Sequence, residues 1–179
     1  MEAGEIAALD AVPAGADFVL GLTFVKAKEY LSAWQECLDE RAELSKYKGR
    51  LAGLKKNFGR SPEAWFAQLC PKELVLVRWS SGELLLLRPS KKAKASAPAE
   101  NPCPGFIPAL LGEAFRLADD SCIASAGGWT AFGSEEAVTA WLQAEKGGLQ
   151  GLPRKAKCYL LNDELSITLG QKNTVLNVY

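Results

Sequence analysis

Two apolar runs around a short turn constrain this chain most: ELVLVRW at 73–79 and ELLLLR at 83–88 flank Ser80, Ser81 and Gly82. A strand with one wet face alternates apolar and polar residues. These two carry apolar side chains on both faces, so the hairpin they form is predicted to sit centrally, with both sides covered. A chain of 179 residues is long enough to supply that cover without metals or disulfides.

The remaining segments suggest what the cover is made of. FVLGLTF at 18–24 reads as a buried first strand, introduced by the turn-forming stretch 13–17. From 25 to 58 a helical region follows. Its apolar positions Tyr30, Trp34 and Cys37, then Leu44, Tyr47, Leu51, Leu54 and Phe58, recur at three and four, but the stripe slips at Arg41, where a kink or break is expected. Residues 89–105, PSKKAKASAPAENPCPG, hold four prolines and few large apolar groups, and read as a mobile linker dispensable for folding. Residues 106–117 form a short helix with Pro108 in its first turn. A second hairpin turns on Gly127 and Gly128. Ser134 then caps a helix whose core face is Val138, Trp141 and Leu142 and which Gly147 and Gly148 end. A third hairpin turns at Asn162 and Asp163, and 174–179 is a last strand.

Hairpins pair antiparallel, so the fold class is α+β: an antiparallel or mixed sheet built from three helix-plus-hairpin units, with helices covering it and a long N-terminal helical region. The chain reads as one domain, 1–179, or as two halves, 1–88 and 106–179, joined by the linker 89–105.

Function is constrained mainly by exclusion. No histidine occurs, which removes the Ser-His-Asp triad, the Cys-His dyad and nearly every familiar zinc site. Cys37, Cys70, Cys103, Cys122 and Cys158 form no C-x-x-C pair and, being five, cannot all pair within one chain; they read as buried or incidental thiols. Acid and base balance at 21 each, so there is no global attraction to nucleic acid or acidic lipid. No apolar run approaches a membrane span, and the start MEAGE is not a basic signal-peptide start. The adjacent carboxylates Asp39-Glu40, Asp119-Asp120, Glu135-Glu136 and Asp163-Glu164 point in different directions on a helix or strand, so none reads as a general acid/base pair. Catalytic residues, cofactors and metal ligands are therefore expected to be none.

One charge asymmetry remains. Lys46, Lys48, Arg50, Lys55, Lys56 and Arg60 follow one another without an acid, after a half that carries Glu29, Glu36, Asp39, Glu40 and Glu43. The run reads either as a surface for an acidic ligand or nucleic-acid backbone, or more plainly as a solvated face whose lysine stems cover the apolar stripe, or as a partner of the acidic half if the region folds into a helical hairpin; zero net charge favours the plainer readings. Tyr47 and Phe58 lie on the apolar stripe and are expected in the core. Trp34, Trp79 and Trp141 fall on buried faces, leaving Trp65 and Trp129 less determined.

The opening LDAVPAGADFVL at 9–20, GWTAFGSEEAV at 128–138 and the Asn162-Asp163 hairpin resemble uncharacterised exported proteins of Bacteroidetes-type bacteria, often lipoproteins with domains of unknown function. Such proteins start with a lipoprotein signal that this chain lacks, so the resemblance implies an excised domain and a cell-envelope or periplasmic setting. The reading that follows is a non-enzymatic cell-envelope module acting through protein surfaces or within a larger assembly. Its alternatives are a binding domain for an acidic ligand or nucleic acid through the basic run, and a histidine-free enzyme using Lys, Tyr or carboxylates.

Overall fold

The computed structural model describes residues 2–69, 71–91, 93–147, 155–162, 165–169 and 174–178. Its strands are β1 (Gly4–Glu5), β2 (Phe18–Thr23), β3 (Pro71–Trp79), β4 (Gly82–Pro89), β5 (Ser96–Glu100), β6 (Cys122–Ala126), β7 (Trp129–Gly133), β8 (Lys155–Ala156), β9 (Cys158–Asn162), β10 (Leu165–Leu169) and β11 (Thr174–Val178). Nine of them form one sheet in the order β11-β10-β9-β2-β3-β4-β7-β6-β5, and β1 pairs with β8 apart from it. Every described strand pair is antiparallel. With the five α-helices among the described residues, the chain is α+β.

The doubly apolar hairpin lies where its patterning demands. Residues 74–77 and 84–87 are 0–2% exposed. Leu74, Leu76, Leu85 and Leu87 point to one face of the sheet and Val75, Val77, Leu84 and Leu86 to the other. Each such side chain contributes roughly 1.5–3 kcal/mol relative to exposure, enough for this pair of strands to anchor both layers.

One face is covered by α1 (Ala27–Glu40), α2 (Leu44–Phe58), α3 (Pro62–Leu69) and α4 (Phe106–Leu111) through Leu31, Leu38, Tyr47, Leu51, Phe66 and Phe106. The other is covered by α5 (Glu135–Gln143) and by a 3-10 turn at Ala8–Asp10. Trp141 of α5 joins the two, its indole N–H donating to the Ala11 carbonyl at 2.8 Å. Among the described residues no helix is long and apolar enough to cross a membrane.

The helical stretch divides at 41–43, and the divide has a defined hydrogen-bond pattern. Ala42 takes φ +57°, its N–H bonds the Asp39 carbonyl, and the Glu43 N–H bonds the Leu38 carbonyl at 2.7 Å. That is a Schellman closure with alanine where glycine is usual. At the middle hairpin Gly127 and Gly128 both have positive φ, as a two-residue turn that matches strand twist requires, and Ile123 faces Phe132 across it. β9 and β10 pair as well, but Asp163 of the expected third turn lies outside the described residues.

Several expectations need correction. The stretch 89–105 is not a linker throughout: Ser96–Glu100 forms an edge strand on β6, and Asn101 and Cys103 are buried. The polar Asn101 hid this, because its side chain donates to the Asp120 carbonyl at 2.7 Å and accepts from the Cys103 N–H at 3.1 Å, which lets the turn pack inside. Shortening across Asn101 and Cys103 is therefore expected to cost stability. Helix α5 ends at Gln143, with Ala144 as its C-cap, and not at Gly147; Lys146 reaches back to the Trp141 and Ala144 carbonyls. Gly147 instead donates its N–H to Val12. Phe58, at the last position of α2, is 38% exposed and so is no core residue. Trp34 and Trp79 are only half-buried, whereas Trp129 is buried and Trp65 stacks on Phe106 at 4.4 Å between ring centroids.

Candidate functional site

The basic residues singled out in the sequence are gathered on and just beyond α2. Helical geometry puts Leu44, Tyr47, Leu51 and Leu54 on one face, and Tyr47 and Leu51 are buried there. Lys46, Lys48, Arg50, Lys55, Lys56 and Arg60 are all exposed. At 100° per residue they flank the buried stripe on both sides and occupy the solvent face between, so α2 shows cations all round its accessible surface. The helix contains no carboxylate. Among the described residues none of the six lies within 4.0 Å of a carboxylate; Arg60 Nη1 donates to Gln68 Oε1 at 3.3 Å. The expected pairing with the acidic half does not occur there. Lys26 takes Glu29, and Arg41 takes Glu43.

A second cluster is one that sequence reading missed. Thr23, Glu73 and Arg88 are successive register partners on β2, β3 and β4, and form one polar rung across the sheet face that α5 and the N-terminal segment cover. Glu73 is 0% exposed. Tyr159 of β9 donates its hydroxyl to Oε1 at 2.6 Å, the Ala7 N–H donates to Oε2 at 2.8 Å, and Arg88 Nε stands 3.4 Å from Oε2. Arg88 also donates through Nη2 to the Glu5 carbonyl at 2.7 Å. Thr23 completes the rung by accepting the Gly4 N–H at 2.9 Å and donating to the Ala156 carbonyl.

Burial pushes the Glu73 carboxyl above its ordinary value, and the Tyr159 and Ala7 hydrogen bonds and the Arg88 charge pull it only part of the way back. The Tyr159 hydroxyl is raised well above its usual range by burial and by Glu73 beside it. Both carboxylate oxygens are occupied by protein donors. The cluster therefore works as a clip: it ties β1, the 3-10 turn and β8 onto the sheet.

A readable signal for it existed. Trp79 faces Gly82 across the first hairpin, so counting six residues down each strand sets Glu73 opposite Arg88, an acid facing a base just beyond the four apolar pairs that join 74–77 to 84–87. Tyr159 had no comparable signal, because its partner on β2, Gly21, lies more than a hundred residues away.

Thiol chemistry is held in check at the buried Cys103. Burial pushes the Cys103 thiol up to about 11, with Asp120 adding to the effect. Cys37, Cys122 and Cys158 are likewise free thiols, and Cys70 lies outside the described residues. Among the described residues no three Cys, Asp or Glu side chains converge as a metal site would require. Comparison with protein-family models, curated proteins and solved structures gives no match to this chain.

Proposed function

We propose that this chain is a non-enzymatic interaction module that docks an acidic protein segment along the solvent side of α2. One observation carries the reading: six exposed cations lie on and just beyond a helix without a carboxylate, and among the described residues none is paired to one. The 15 residues of α2 span about 22 Å, a length that a short acidic helix or strand can follow. Protein is favoured over nucleic acid because α1 packs beside α2 and exposes Glu36, Asp39 and Glu40, onto which a long polyphosphate would run. Tyr47, which a base would need for stacking, is buried. The remaining candidates for chemistry, Glu73 and Tyr159, are consumed in the clip.

Within the same reading the chain consists of three helix-plus-hairpin units ending in β3-β4, β6-β7 and β9-β10. The first of these, with its long N-terminal helical region, carries the docking surface. The cell-envelope setting implied by the resemblance belongs to this proposal, and fractionation of cells that express the native protein tests it.

Calorimetric titration with polyglutamate, before and after Lys46, Lys48, Lys55 and Lys56 are changed together to Gln, tests the docking surface. The account expects affinity to fall roughly tenfold or more, since several charge contacts are removed. Equal affinity of the two proteins contradicts it. Binding of single-stranded DNA in preference to the peptide would replace the protein partner by a nucleic acid.

A further inference from the structure

We propose that the groove beside β1 binds a small phosphate-bearing anion through Lys72, Arg88 and Lys155, independently of α2. The groove encloses about 420 Å³, the scale of a small-molecule site, and its wall includes these three cations, Ser90 and a single carboxylate, Glu5. The cations come from three different strands, β3, β4 and β8, so their meeting is a product of the fold and not of a local run.

Each is placed by a specific device. Lys72 sits at a register shift: Pro71 faces Pro89 and Glu73 faces Arg88, which leaves Lys72 as the extra residue of a bulge, an arrangement that re-aims a side chain. Arg88 is 18% exposed and is held from behind by Glu73 and from the side by the Glu5 carbonyl, with the exposed Glu5 carboxylate 3.8 Å from its Nη1, so its guanidinium is fixed before any ligand arrives. Lys155 enters on the short ladder in which it faces Glu5. Lys72 and Lys155 are exposed, and among the described residues neither lies within 4.0 Å of a carboxylate.

With Arg88 offset by Glu73, the two lysines against Glu5 leave the groove a net positive charge. A preorganised, partly desolvated guanidinium flanked by two flexible ammonium groups suits a phosphate: the fork fixes orientation and the lysines supply charge. A phosphate offers three or four oxygens to these three cations where a monocarboxylate offers two, so the phosphate group is the better match.

Titration of the whole chain with inorganic phosphate, followed by ¹H–¹⁵N spectra against a sodium chloride control of equal ionic strength, tests this. Saturable shifts are expected at Gly4, Lys72, Ser90 and Lys155. Joint Lys72→Gln and Lys155→Gln should weaken binding roughly tenfold, and Glu5→Gln should strengthen it several-fold, because one removes attraction and the other repulsion. Lys48→Gln with Lys55→Gln, on α2, should leave it unchanged. Shifts confined to 44–60, no response beyond the chloride control, or insensitivity to both groove variants would overturn the site.

Discussion

Tyr159 lies flat across Gly21, its register partner on the neighbouring strand: a Cβ built on Gly21 would stand 2.0 Å from the Tyr159 ring carbon Cζ. The missing side chain lets the ring cross β2 and deliver its hydroxyl to Glu73. Gly21→Ala sets two effects against each other. The unfolded chain loses freedom, which favours alanine by about 0.4–1 kcal/mol. A buried ring must also leave its place and break its hydrogen bond, and we expect that to win, with net destabilisation of about 3 kcal/mol by urea midpoint. A stabilised variant would show that the ring moves aside freely.

The Glu73 carboxyl governs a pH dependence whose sign follows from its raised value. Below the ordinary carboxyl value of 4.5, Glu73 is protonated in both folded and unfolded chains and adds nothing. Between 4.5 and its higher folded value the native state holds the extra proton, so stability falls as pH rises through that window, and above it the full penalty persists. Glu73→Gln removes the titrating group and should flatten this part of the curve, although the amide cannot accept from both the Tyr159 hydroxyl and the Ala7 N–H through equivalent oxygens. Denaturant midpoints of both proteins from pH 4.5 upward decide the matter. Parallel curves would place the carboxyl in contact with water.

Ala42 holds the left-handed position between α1 and α2 at φ +57°. That conformation costs an alanine about 1–2 kcal/mol, more than glycine loses through unfolded-state freedom, so Ala42→Gly should stabilise by about 0.5–1 kcal/mol. Thermal unfolding checks the sign. Destabilisation would mean that the two helices run on without the closure.

Ser134 accepts the Ala137 N–H at 3.2 Å and caps α5. Ser134→Ala should cost about 1 kcal/mol. An unchanged midpoint would show that water replaces the hydroxyl.

The contrast between the hairpins and the clip shows what could be read in advance. The strands 74–77 and 84–87, the turn at Gly127 and Gly128, and the cap at Ser134 are local: pattern, turn chemistry and capping agree within a dozen residues. Placement of the basic run on an exposed helix was legible for the same reason, because the Tyr47 and Leu51 stripe fixes which side faces water. The clip was not. Thr23, Glu73, Arg88 and Tyr159 meet only once β2 and β9 pair, and no periodicity within either segment announces that pairing. The phosphate groove lay further still from view, since Lys155 reaches it through a two-residue strand and Lys72 through a bulge.

The salt dependence of polyglutamate binding tests the central claim most directly. If α2 docks an acidic segment through exposed cations, affinity should fall roughly tenfold between about 50 and 200 mM salt, because surface charges are progressively screened. Salt-insensitive binding, or none, would contradict the account and leave Lys46, Lys48, Arg50, Lys55, Lys56 and Arg60 as a solvated helix face.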